Sequence, residues 1–147
     1  MAQFMPITRL NEPILFSNSG LGSKLLASGW SQQESWGSWS ANETSKIFLP
    51  LPVKKPRKIV INARALVSPT HPSQNIEIRV NQVLAKKNSL TKSENNIIEL
   101  NINPTILSKP FLILDFDYQN PARPVDIGYR NGDERLMAIS IQSITFR

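Results

Sequence analysis

The sequence contains no cysteine, and it has a single histidine, His71. Neither a disulfide framework nor a thiolate metal site can therefore stabilise the fold. No run of about 18 apolar residues occurs, which excludes a membrane-spanning helix on sequence grounds. The first residues also lack the charged and apolar regions of a signal peptide. Because a chain without disulfides fits a reducing compartment and the signal-peptide pattern is lacking, we expect a cytoplasmic protein.

The sequence is also poor in catalytic signals. It has no P-loop, GxGxxG, HExxH or EF-hand motif. His71 lies in a loop, and no nucleophile motif surrounds its neighbours Ser68 and Ser73. Asp115 and Asp117 share a strand face, where they could serve a glycosidase or bind calcium, but ion pairing on a solvated sheet is the favoured interpretation. We therefore predict a protein without catalysis, cofactor or metal site.

Charge is distributed unevenly along this chain of 147 residues. Hydrophobic residues make up 40% and charged residues 19%, as in globular proteins, and the formal net charge is +6. The densest basic cluster consists of Lys54, Lys55, Arg57 and Lys58. Nucleic acid or anionic lipid is one hypothesis for its partner. However, Pro52 and Pro56 interrupt the cluster and no aromatic residue accompanies it, which favours a solvated loop and makes a nucleic-acid partner unexpected.

Apolar and polar residues alternate with a period of two through most of the chain, which predicts short β-strands. The predicted strands cover residues 14–16, 46–51, 59–67, 76–80, 83–86, 98–102, 112–117 and 136–146. No apolar stripe of helical period extends over three turns, and 11 prolines are widely spread. The sequence predicts an all-β protein, a jelly-roll-like antiparallel β-sandwich of about seven to nine strands. We expect one domain over residues 1–147, with residues 1–13 irregular.

Three local features refine this prediction. Asn81 and Gln82 separate two β-prone segments and indicate a two-residue hairpin turn. Asn103 is a candidate N-cap for a single helical turn that begins at the following proline. In the last strand, the apolar residues change parity near Gln142 and Ser143, which predicts a β-bulge.

All three tryptophans, Trp30, Trp36 and Trp39, fall within ten residues, and Gly29 and Gly37 accompany them. One interpretation is a folded corner in which indoles anchor a β core; the other is an aromatic platform for a sugar ring. Packing is favoured for Trp36 and Trp39, whereas the two roles are equally expected for Trp30.

The tryptophan stretch contains Gly29-Trp30-Ser31, then Glu34, then Trp36-Gly37-Ser38-Trp39-Ser40, and the apolar strand at 47–51 follows it. This pattern resembles part of an uncharacterised β-sandwich domain. That domain is attached to bacterial glycosyltransferases and other surface-polysaccharide enzymes. The resemblance continues through residues 63–67, 71–74, 76–81 and 124–128 to the final strand, and so covers about 28–147. It implies a sandwich of the carbohydrate-binding-module kind, without catalysis of its own, that serves a glycosyltransferase partner.

Sugar sites combine an aromatic face with planar polar groups that meet hydroxyls in pairs. The candidate glycan-binding residues are Trp30, Glu34, Trp36, Trp39, Arg64, His71, Gln74, Asp126 and Arg135. We predict a non-catalytic carbohydrate-binding-like or accessory module linked to bacterial surface glycan synthesis. The alternative is a protein-interaction or assembly module in which the tryptophans form structural core and Glu34 pairs with Arg135 to close one end of the sandwich.

Overall fold

The computed structural model describes residues 7–32, 34–35 and 37–147. The strands are β1 (Ile14–Leu15), β2 (Ser38–Trp39), β3 (Thr44–Pro50), β4 (Lys58–Ala65), β5 (Gln74–Val80), β6 (Val83–Leu90), β7 (Asn96–Asn101), β8 (Phe111–Tyr118) and β9 (Ile139–Phe146). Short 3-10 helices cover Leu21–Leu25, Pro104–Ser108 and Pro124–Ile127. Within these described ranges, no helix is long and apolar enough to cross a membrane.

The strands form two antiparallel sheets. The first sheet has the order β1-β9-β4-β7, with β2 also paired to β9, and the second has the order β3-β8-β5-β6. From β2 onward, only the β5–β6 connection stays within one sheet; each other connection crosses from one sheet to the other. This arrangement is a jelly roll. The predicted all-β sandwich of about seven to nine strands is confirmed.

The core lies between the inner faces of the two sheets. On β4, Ile59, Ile61 and Ala63 are buried and alternate with partly exposed residues, as the period of two predicted. Leu112 and Leu114 on β8 supply the facing layer. Because a fully buried aliphatic side chain stabilises a fold by about 1.5–3 kcal/mol, these layers hold the sheets together.

The outer face of the second sheet has an apolar part, where Phe48 stacks on Phe111, and a polar part in which charged side chains pair across strands. Asp115 lies 3.6 Å from the amine of Lys46, and Asp117 lies 3.3 Å from the guanidinium of Arg79. These are the ion pairs expected for a solvated sheet face, so the interpretation of the two aspartates as partners of cross-strand cations is confirmed.

The hairpin predicted at Asn81 and Gln82 joins β5 to β6. Both residues have positive φ, 48° and 71°, as a type I′ turn requires. The Asn81 side-chain oxygen also accepts a 2.8 Å hydrogen bond from the backbone N–H of Ile113, which attaches the turn to β8. The helical turn after Asn103 is present too, and its N-cap side chain accepts from the N–H of Thr105 at 3.1 Å.

The predicted bulge lies in β9. Asn62 on β4 opposes Ser143, whereas the next residue, Ala63, opposes Ile141, so Gln142 is the extra residue. The bulge restores the inward direction of the apolar side chains on both sides of it, which explains the parity change in the sequence.

β4 runs from one end of the sandwich to the other. A strand of this length spans about 23 Å. Its first residue, Lys58, follows the β3–β4 loop with the basic cluster. Its last residue, Ala65, pairs with Ile139, the first residue of β9. The polar segment between β8 and β9 therefore lies at the end opposite the basic cluster.

Candidate functional site

A cleft of about 400 Å³ lies where β4 ends. It is lined by the end of β4, the turn before β7, the segment between β8 and β9, and the tryptophan-containing stretch. The lining residues are Glu34, Trp39, Arg64, Ala65, Leu66, Ser93, Glu94, Pro124, Tyr129, Asn131, Asp133, Arg135 and Met137. The fold thus brings together four of the predicted site residues, Glu34, Trp39, Arg64 and Arg135.

Trp39 has both a packing role and an open face. Its backbone carbonyl accepts a 2.8 Å hydrogen bond from Ser31, and β2 pairs it with Ser140 on β9. The half-buried indole packs against a small cluster that includes Leu66 and Met137. Because the ring also lines the cleft, it offers an aromatic surface that the cluster holds in place.

Arg64 on β4 forms an ion pair in the cleft with Glu94, at 3.4 Å. Glu94 is brought there by Asn96, whose side-chain amide donates to the carbonyls of Ala63 and Lys92 and folds the turn back toward β4. Sequence reasoning missed Glu94, because it lies in an exposed turn and its partner is thirty residues away along the chain. The pairing of β4 with β7, which places Asn96 opposite Ala63, is what brings Glu94 close to Arg64.

Arg135 and Asp133 form the second ion pair of the cleft. The two side chains make a bidentate contact, with Nη2 to Oδ2 at 2.7 Å and Nε to Oδ1 at 3.0 Å. The hydrogen bond from Arg135 lowers the pKa of the Asp133 carboxyl and raises that of the guanidinium. The charge of Glu34 adds to the rise in the Arg135 pKa, so the predicted Glu34–Arg135 association is a longer-range one, and the direct ion pair is with Asp133.

Tyr129 gives the cleft a second aromatic side chain. Its hydroxyl donates to the carbonyl of Val67 at 2.5 Å, which fixes an otherwise exposed ring. Sequence reasoning missed it inside a long polar loop. The sequence signal for this residue was an aromatic side chain between Gly128 and Arg130, outside any alternating strand pattern.

Trp30 lies away from the cleft and packs on the main core. Its ring meets Phe116 edge to face, with centroids 6.0 Å apart and planes at 81°. Its indole N–H donates to the carbonyl of Lys46 at 2.9 Å. These contacts give Trp30 a structural role. Trp36 lies outside the described residues.

The other predicted residues lie elsewhere on the surface or in the core. His71 Nε2 is 3.4 Å from Gln74 Oε1, and buried Gln74 donates at 2.8 Å to Asn120, so these residues connect two loops. Asp126 is exposed on the Pro124–Ile127 helix and does not line the cleft. Among the described ranges, no group of three or more histidine or acidic side chains is placed to hold a metal ion.

The sequence matches no known protein family and no curated protein. Solved structures do share the fold. An acetyl xylan esterase, Est2A, from the rumen bacterium Butyrivibrio proteoclasticus has a TM-score of 0.59 at 8% identity, over 94% of this chain and 32% of that one. An active-site mutant of a family two carbohydrate esterase from Clostridium thermocellum has a TM-score of 0.53 at 10% identity, over 84% and 30%.

A carbohydrate-binding module, CBM36, in complex with calcium and xylotriose has a TM-score of 0.49 at 6% identity, over 86% of this chain and 96% of that one. The chain spans about a third of the length of the two esterases. At such identities the likeness to the two esterases shows the fold alone, a β-sandwich.

Proposed function

We propose that the protein is a non-catalytic carbohydrate-binding module and that its site is the cleft at the end of β4. The observation that carries the proposal is the placement of Trp39 and Tyr129 beside two arginine–carboxylate pairs. Aromatic rings bind the apolar face of a sugar, and planar polar groups bind neighbouring hydroxyls in pairs. A volume of about 400 Å³ is at the small end for ligand pockets, so the cleft suits a short segment of a glycan.

The charges of the cleft favour a neutral ligand. Arg64 and Arg135 are each neutralised by a carboxylate at 3.4 Å and 2.7 Å, and Glu34 adds one further negative charge. A strongly anionic ligand would have to displace these carboxylates or face the charge of Glu34. A polyhydroxylated ligand can instead donate to the carboxylates and accept from the guanidinium groups.

Two observations support a binding role without catalysis. His71 is engaged with Gln74 and does not line the cleft. Asp133 has a pKa held below its usual range by Arg135, so at neutral pH it is ionised and unsuited to donate a proton. The esterase activities named for the two structural neighbours belong to those proteins.

We further propose that the ligand is a bacterial surface polysaccharide or its precursor and that the module acts in the cytoplasm with a glycosyltransferase. The support for this part is the resemblance of residues 28–147 to a domain attached to such enzymes. An immobilised set of bacterial surface glycans identifies the ligand, and calorimetry with the purified protein then measures its affinity.

The decisive variant is Arg64→Lys, with Arg79→Lys as its matched control. Both arginines project from the outer face of a strand and pair with a carboxylate, but Arg79 lies on the other sheet. Because lysine lacks the planar fork, Arg64→Lys should lower affinity about tenfold, whereas Arg79→Lys leaves it unchanged. No binding across the glycan set, or an equal loss in both variants, would count decisively against the cleft.

The second candidate function is a protein-interaction or assembly module with the tryptophans in the core. The packing of Trp30 on Phe116 and of Trp39 against Leu66 favours it. It predicts a stable oligomer in size-exclusion chromatography with light scattering and no glycan affinity. A monomer that binds glycan would reject it.

A further inference from the structure

We propose that the end of the sandwich opposite the cleft docks on an anionic lipid membrane surface through the β3–β4 loop. The loop carries an exposed aliphatic tip, Val53, followed by the basic cluster Lys54, Lys55, Arg57 and Lys58. This site is separate from the proposed glycan cleft and does not depend on it.

The shape of the loop is fixed by two prolines. Pro52 and Pro56 are buried, while the residues between them are exposed. Val53 is 99% exposed, the highest value for a large hydrophobic residue in the described ranges. Since proline restricts φ, a loop anchored in this way presents Val53 outward without a large loss of chain entropy on docking.

A second exposed aliphatic residue lies beside the tip. Ile7 is 78% exposed and lines, with Val53 and Leu10, a cleft of about 570 Å³ whose lining also includes Arg9 and Lys54. The N-terminal segment is held against the loop by a 2.8 Å hydrogen bond from the Thr8 hydroxyl to the carbonyl of Pro50. The lining holds one carboxylate, Glu12, against these two cations, and Lys55 and Arg57 of the same loop make the surface basic. Two exposed aliphatic side chains on a basic surface match the boundary between lipid headgroups and acyl chains.

The basic cluster is available for an external partner. Within the described part of the chain, Lys54, Lys55 and Arg57 form no ion pair, and only Lys58 is paired, with Glu99 at 3.5 Å. Each lysine or arginine near an anionic leaflet strengthens membrane binding about fivefold. The three unpaired cations therefore supply the electrostatic part of docking.

The same features favour lipid over nucleic acid. Residues 51–58 contain no aromatic side chain on which a base could stack. A fully exposed valine at the tip gains nothing from a phosphate backbone, but it gains apolar contact when it enters a membrane interface. Because the glycan cleft lies at the far end of β4, docking leaves that cleft facing away from the bilayer.

The test is sedimentation of the protein with vesicles of equimolar phosphatidylcholine and phosphatidylglycerol, compared with pure phosphatidylcholine. The double variant Lys54→Gln, Lys55→Gln should lower partitioning onto the anionic vesicles about thirtyfold. The matched control is Lys87→Gln, Lys92→Gln, which removes the same charge from exposed positions elsewhere and should leave partitioning within about twofold.

The apolar contribution is tested separately with Val53→Ser against Val83→Ser. Val83 is 62% exposed on the β5–β6 hairpin, so both changes remove an exposed valine without opening the core. Only Val53→Ser should weaken vesicle binding, by several-fold, and it should leave the salt dependence unchanged. Absence of binding to anionic vesicles, equal effects in variant and control, or tighter binding to a DNA duplex that Val53→Ser does not alter would each overturn the proposal.

Discussion

The close approach of Gly29 to β3 yields a sharp prediction for Gly29→Ala. Gly29 has a φ of +79°, and a Cβ there would overlap the carbonyl oxygen of Thr44 and lie 2.8 Å from the Cα of Ser45. Gly132 is the matched control, because its φ is +70° and a Cβ added there meets nothing within 4 Å. The two positions share the backbone conformation and differ in the space available.

The expected costs follow from these contacts. The left-handed conformation disfavours alanine by about 1–2 kcal/mol at both positions. At Gly29, displacement from Thr44 also weakens two hydrogen bonds that the Gly29 carbonyl accepts, from the Ser45 hydroxyl at 2.6 Å and the Ala41 N–H at 2.8 Å. At about 1 kcal/mol for each bond, Gly29→Ala costs about 3–4 kcal/mol and Gly132→Ala about 1–2 kcal/mol.

Thermal unfolding followed by circular dichroism measures this difference. For a chain of this size, 1 kcal/mol corresponds to about 3 °C in Tm, so we expect a fall of about 10 °C for Gly29→Ala and about 4 °C for Gly132→Ala. Equal losses in the two variants would refute the reasoning, because they would show that the contact with β3 adds nothing to the conformational cost.

Two further predictions concern β9 and β8. Deletion of Gln142 keeps all the apolar residues of β9 on the inner face, whereas deletion of Thr145 places Ile144 and Phe146 on opposite faces. In urea unfolding, the first deletion should therefore cause a small loss of stability, and the second should prevent folding. Equal losses of stability in the two variants would contradict the bulge. Burial raises the pKa of the Tyr118 phenol well above its usual range, so its contribution to stability is present below about pH 10 and is lost as the pH rises further. In urea unfolding, the Tyr118→Phe variant should therefore lose less stability between about pH 8 and about pH 11 than the parent protein loses. An equal loss in the two proteins would show that another group causes the fall in stability at alkaline pH.

The sequence by itself determined the longer strands, the hairpin at Asn81 and the bulge at Gln142, but it did not indicate the two-residue strand β2 or the second half of β6. Each of these depends on residues that are neighbours in the chain: the period of two sets which side chains face inward, asparagine tolerates the positive φ of a type I′ turn, and a parity change requires one extra residue. Local chemistry was sufficient for these features because the physical cause is local.

The tertiary structure alone decided the composition of the cleft. Trp30 and Trp39 lie in the same short stretch, yet one packs on Phe116 in the core and the other lines the cleft. Likewise, the partner of Arg64 is Glu94, which the pairing of β4 with β7 brings near. The order of strands in the two sheets sets which distant segments meet, and that order follows from how the apolar faces pack together rather than from the residues beside each side chain.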